Sequence, residues 1–126
     1  MAATFVNDSD SAPIVAGEAL TKGDLVAIGA DGKAYQANAA TGSEMLPAMF
    51  VAETTVAANA VAELKHSGKV AGCTGLTPGS YVYVGNTAGA YSASAGNTSQ
   101  KVGLALSATE WVMEFEQVAV AHTAHS

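Results

Sequence analysis

Apolar and polar residues alternate along this chain in short runs. Asp24-Leu-Val-Ala-Ile28, Lys33-Ala-Tyr-Gln-Ala37, Met49-Phe-Val-Ala-Glu53, Val61-Ala-Glu-Leu64 and Lys69-Val-Ala-Gly72 each read as a strand. So do Ser80-Tyr-Val-Tyr-Val84, Ala90-Tyr-Ser-Ala93, Val102-Gly-Leu-Ala-Leu106 and Trp111-Val-Met-Glu-Phe115. Gly29-Ala-Asp-Gly32 and Gly85-Asn-Thr-Ala-Gly89 supply hairpin turns, Asp31-Gly32 offering the positive-φ residue. Residues 38–47 and 94–100 read as loops, and Ala-rich 56–62 suits a short helical turn. Short strands punctuated by Gly and Asn predict an all-β barrel or sandwich.

The pattern is written twice. Residues 20–37, Leu-Thr-Lys-Gly-Asp-Leu-Val-Ala-Ile-Gly-Ala-Asp-Gly-Lys-Ala-Tyr-Gln-Ala, return 56 positions later at 76–93, with eight of eighteen positions identical. The shared residues are Leu20/Leu76, Thr21/Thr77, Gly23/Gly79, Val26/Val82, Gly29/Gly85, Ala34/Ala90, Tyr35/Tyr91 and Ala37/Ala93. A turn, a strand, a hairpin turn and a returning strand have been duplicated, so the domain is built from two repeated hairpin units. Pro78-Gly79 fits the centre of a type II turn leading into the second copy. Lys69–Gly72 is taken to complete the first unit.

Three segments follow: an extended arm at 1–16, the β domain at 17–118 and a flexible tail at 119–126. In the arm, Thr4-Phe5-Val6 is β-prone, Asn7–Ser11 is too polar to bury, and Pro13 breaks a regular element. Such an arm is expected to order as a strand on a partner.

Composition narrows the function. Ala accounts for 27 of 126 residues, against three Phe and one Trp, which predicts a thin core of small side chains. Only 13% of residues are charged, a sparse coat for a lone monomer, so much of the surface should meet copies of itself or a partner. The net charge is −6, with five Lys and no Arg, which argues against nucleic acid and against anionic membranes. Cys73 is alone, so no disulfide framework exists, and it reads as a small buried thiol. The sequence shows neither a spanning apolar run nor a signal-peptide pattern, and synthesis in the cytoplasm is expected.

No chemistry-bearing constellation emerges. His122 and His125 have helical ligand spacing, but sit in the tail without acidic or thiol company. His66 ends a strand, and its neighbour Ser67 lies outside any nucleophile elbow. Glu114 and Glu116 form the polar face of a strand, and Asp8 and Asp10 lack the remainder of a calcium loop. Lys33 follows a hairpin turn, but the modification motif of lipoyl and biotinyl carriers is not reproduced. The expectation is a non-enzymatic protein with no cofactor and no metal.

The string Leu-Thr-x-Gly-Asp-Leu-Val-Ala-Ile-Gly-Ala-Asp-Gly-Lys-Ala-Tyr, with Phe50-Val-Ala and Gly103-Leu-Ala-Leu-Ser107, resembles the capsid decoration (cement) proteins and head-fibre bases of tailed bacteriophages. The resemblance spans about Glu18 to Phe115. It implies a small β-rich protein that trimerises on the capsid exterior, contacts the major capsid protein and stabilises the assembled head, with virion localisation. Thr4, Phe5 and Val6 are the residues expected to carry capsid binding. Tyr81, Tyr83, Tyr91 and Trp111 are expected to form an oligomer or packing face. In the alternative reading, a receptor- or glycan-binding module of a tail fibre, the same aromatic residues would stack on sugars.

Overall fold

The computed structural model describes residues 11–40, 45–94, 98–115 and 120–121. They form an all-β protein, with no helix among the described residues. In chain order the strands are β1 (Ser11–Val15), β2 (Leu25–Ile28), β3 (Ala34–Gln36), β4 (Ala48–Ala52), β5 (Val61–Lys65) and β6 (Lys69–Val70). They continue with β7 (Tyr81–Val84), β8 (Tyr91–Ser92), β9 (Thr98–Ser99), β10 (Lys101–Ala105), β11 (Trp111–Met113) and β12 (Val120–Ala121).

The duplication extends well beyond the eighteen-residue match. One antiparallel sheet has the order β1-β5-β4-β2-β3, the other β6-β11-β10-β7-β8, so strand for strand the two topologies coincide. Both sheets carry a bulge at the same place. Val26 opposes Phe50 and Ala27 opposes Ala48, skipping Met49. Val82 opposes Gly103 and Tyr83 opposes Lys101, skipping Val102.

Backbone hydrogen bonds repeat as well. Gly23 N–H donates to the Ala52 carbonyl at 2.9 Å, as Gly79 does to Ala105 at 2.8 Å. Asp24 N–H donates to Thr21 at 2.9 Å and Ser80 to Thr77 at 3.0 Å, closing the two leading turns. Gly23 and Gly79 have φ of 94° and 83°, the left-handed third position that a type II turn requires.

Several sequence expectations change. Ser11–Val15 pairs along β5 from Ser11↔Lys65 to Val15↔Val61, so the end of the 1–16 arm belongs to the domain. Pro13 is tolerated there because β1 is an edge strand, where a missing N–H costs no ladder bond. Lys69–Val70 opens the second unit rather than completing the first, since it pairs with β11. Val56 makes no helical turn: it exchanges both backbone hydrogen bonds with Leu20, at 2.9 and 3.0 Å. Within the 119–126 tail, Val120–Ala121 pairs with Thr98–Ser99, which in turn lies in the stretch read as a loop.

The two units differ in how they close. The first hairpin is closed by Gly29 N–H to Lys33 O, the second by Gly85 N–H to Ala90 O, one residue longer. Ile28 therefore opposes Ala34, while Val84 opposes Tyr91. A one-residue slip moves side chains to the other face. Tyr91 thus holds the place of Ala34, and the Tyr35/Tyr91 identity is not a structural equivalence.

In the first unit Ala16 bridges Ala34, and Gly17 N–H reaches the Ala34 carbonyl at 2.8 Å. Strand β1 thereby meets β3, and the sheet curls around its own core of Ala16, Leu20, Val26, Ala34, Ala52, Ala62 and Leu64. Alanines at four of these positions let so tight a curl close, as the thin core predicted. In the second unit the Tyr91 side chain stands between the edges: Thr74 N–H donates to its hydroxyl at 2.9 Å. This sheet stays open. Its inner face, with Leu76, Val82, Val84, Val102, Ala105 and Trp111, packs on the outer face of the first sheet, with Leu25, Ala27, Ala48 and Val51.

Candidate interaction surfaces

The proposed arm residues Thr4, Phe5 and Val6 lie outside the described residues, as do His122 and His125. The arm joins the fold at Ser11, opposite Lys65.

The four aromatic residues grouped by sequence are split by the fold. Strand β7 alternates, so Val82 and Val84 enter the core while Tyr81 and Tyr83 point away from it. Tyr81 is 49% exposed, with the Lys101 ammonium 4.3 Å from its ring centroid. Leu104 lies opposite Tyr81 on β10, and Val112 lies opposite Leu104 on β11. Leu106, on the same side of the chain as Leu104, is also exposed. These residues make an apolar strip across the outer face of the second sheet. Trp111 belongs to the interior instead, and Tyr91 is half-buried against the same core. Trp111 is 1% exposed and offers no ring to a sugar.

The equivalent face of the first unit is covered. Tyr81, Tyr83 and Leu104 stand where the first unit has Leu25, Ala27 and Val51. Those three residues are at most 5% exposed, under the second unit.

A cleft of about 340 Å³ opens where the two units meet. Lys22, Val51, Glu53 and Lys65 line it from the first unit, Lys69, Val70 and Met113 from the second. An adjoining cleft of about 320 Å³ shares Lys22, Gly23, Val70 and Ala71 and reaches Asp24, Cys73 and Tyr91. Sequence reading missed this grouping because the lysines are far apart in the chain. Cys73 is buried, as its composition suggested.

At the first hairpin Tyr35 Oη donates to Asp31 Oδ2 at 2.6 Å, and Lys33 N–H donates to Oδ1 at 3.1 Å. The Tyr35 hydroxyl first, and the Lys33 amide second, hold the Asp31 carboxyl below its ordinary value. The same carboxylate raises the Tyr35 phenol. Lys33 thus supports its own turn through its backbone. His66 sits edge-on to Phe50, ring centroids 6.2 Å apart. Among the described residues no three His, Cys, Asp or Glu converge as metal ligands.

In comparison with known proteins, no family and no curated protein matches this chain.

Proposed function

We propose that this is a non-enzymatic structural protein that binds the outside of an assembled bacteriophage head and stabilises it as a decoration, or cement, protein. The observation that carries the reading is the outer face of the second sheet. Tyr81, Tyr83 and Leu104 repeat positions that the first unit buries under its neighbour, yet Tyr81 is half exposed. A packing face duplicated and left uncovered suits a chain whose surface is completed by other molecules. Here these would be copies of itself in a homotrimer and the major capsid protein of the shell.

The arm supplies the second contact in this reading. Phe5 and Val6 add to a strand edge of the capsid through main-chain pairing, and weak contacts repeated over a lattice give avidity. For the alternative, a glycan-binding fibre module, the burial of Trp111 removes the aromatic residue it most needed.

Co-sedimentation with expanded but not unexpanded phage heads is the expected result. Removing residues 2–10 spares β1 and should abolish binding while leaving the far-ultraviolet circular dichroism spectrum unchanged. Tyr81→Lys with Leu104→Lys should shift a trimer to monomer in light scattering. Absence of binding to either head form overturns the reading.

A further inference from the structure

Three of the chain's five lysines, Lys22, Lys65 and Lys69, line one cleft of a protein whose net charge is −6. The internal repeat shows that the fold does not require them. Lys22 occupies the turn position that the second unit fills with Pro78. Lys65 lies opposite Val51, where the second unit sets Val112 opposite Leu104. Lys69 pairs with Val112 as Ser11 pairs with Lys65. Each backbone position is therefore built elsewhere in the same molecule with an uncharged residue. At these three positions the lysine stands where the two units meet, and its uncharged counterpart stands elsewhere.

Their electrostatic partners are few. Lys69 Nζ lies 3.7 Å from Glu110 Oε1, with both side chains more than a third exposed. Such a pair contributes little and exchanges readily for another carboxylate. Among the described residues no carboxylate stands within ion-pair distance of Lys22 or Lys65. Glu53 is the acidic group in the same lining, and Asp24 lines the adjoining cleft. Val51, Val70 and Met113 add an apolar wall.

We infer that this cleft binds a short acidic peptide segment of a partner protein. Its carboxylates meet Lys22, Lys65 and Lys69, and an apolar side chain between them lies on Val70 and Met113. A long polyanion is disfavoured because it would meet the negative charge of the whole chain. A short segment interacts within about one Debye length, roughly 8 Å at physiological salt, where the lysines dominate. The inference stands independently of the shell-binding reading.

The test is calorimetric titration of the full chain with the blocked peptide Glu-Glu-Leu-Glu-Glu and with its all-Gln counterpart. The acidic peptide should bind with an affinity that falls as salt is raised, and the Gln peptide should not bind. Lys22→Gln/Lys65→Gln/Lys69→Gln should weaken binding by at least about tenfold, since charge-assisted contacts are lost. Lys33→Gln/Lys101→Gln, outside the cleft, should leave it unchanged. If the triple variant does not fold, Lys65→Val and Lys69→Ser, which borrow residues from the other unit, should each weaken binding. Equal binding of the Gln peptide, unchanged binding by the lysine variants, or no binding of the acidic peptide overturns the inference. So does tighter binding of inorganic phosphate or a sialylated glycan at the same lysines.

Discussion

The side-chain amide of Gln100 clasps the backbone of Ala48 from both sides. Ala48 N–H donates to Gln100 Oε1 at 2.6 Å, and Gln100 Nε2 donates to the Ala48 carbonyl at 2.8 Å. Strand β5 pairs with β4 only at Val51 and Ala52, so the amide takes the place that a longer β5 would hold. Gln100 is fully buried and belongs to the second unit, Ala48 to the first. The contact therefore fixes how the two sheets sit on each other.

Gln100→Leu keeps the bulk but strands a buried N–H and a buried carbonyl. Each unsatisfied group costs about 1–3 kcal/mol. A loss of about 2–5 kcal/mol is expected, read from urea unfolding. A loss below about 1 kcal/mol would show that the clasp contributes nothing of substance.

Gly103 lies beneath the Trp111 ring. A Cβ there would collide with the Val112 carbonyl oxygen and sit 2.5 Å from Trp111 Cε3. Backbone cannot move aside as a flexible side chain can, so Gly103→Ala should cost about 3 kcal/mol or more. Gly72→Ala is the control. Its φ of 79° makes a side chain unfavourable, but the space is open, and about 1–2 kcal/mol is expected. Thermal melts of both variants would show the order.

Trp111 Nε1 is buried with no hydrogen-bond partner among the described residues. Trp111→Phe gives up some apolar contact but removes the orphaned donor. The variant should stay within about 1 kcal/mol of the parent, because the two effects oppose. Trp111→Ala removes the largest fully buried side chain, and a loss of about 3–5 kcal/mol is expected.

The Asp31–Tyr35 pair makes a prediction about pH. The folded pKa of Asp31 is lowered, so its contribution to stability is present above the ordinary carboxylate range. It is lost as pH falls through that lowered value. The folded pKa of Tyr35 is raised, so its contribution is present below the ordinary phenol range and is lost as pH rises through the raised value. Tyr35→Phe should return the Asp31 titration towards 3.8, followed by carboxyl carbon chemical shifts. An unmoved Asp31 titration would show that the hydroxyl is not its main stabiliser.

Much of the fold was legible because its strands are local patterns. The unbroken apolar run Leu25–Ile28, the Tyr–Val alternation of Tyr81–Val84 and glycines at turn positions specify strands and turns whatever the rest of the chain does. The repeat was legible for the same reason, but only across its hairpins. Its extension to five strands per unit rests on pairings such as Ser11 with Lys65 and Lys69 with Val112. Those depend on sheet order, which side-chain type does not encode at so few positions.

The sequence by itself determined an all-β chain built on a duplicated hairpin, with a small-residue core and a buried thiol. Tertiary structure alone decided which face each copy presents. One extra residue in the second hairpin turn puts Tyr91 where the first unit has Ala34, and a ring between strand edges keeps that sheet open. The open sheet takes the first unit's outer face as its core, leaving Tyr81 outside and gathering three distant lysines at the junction. Residue identity sets a strand's two faces. Only long-range register and packing decide which face another surface covers.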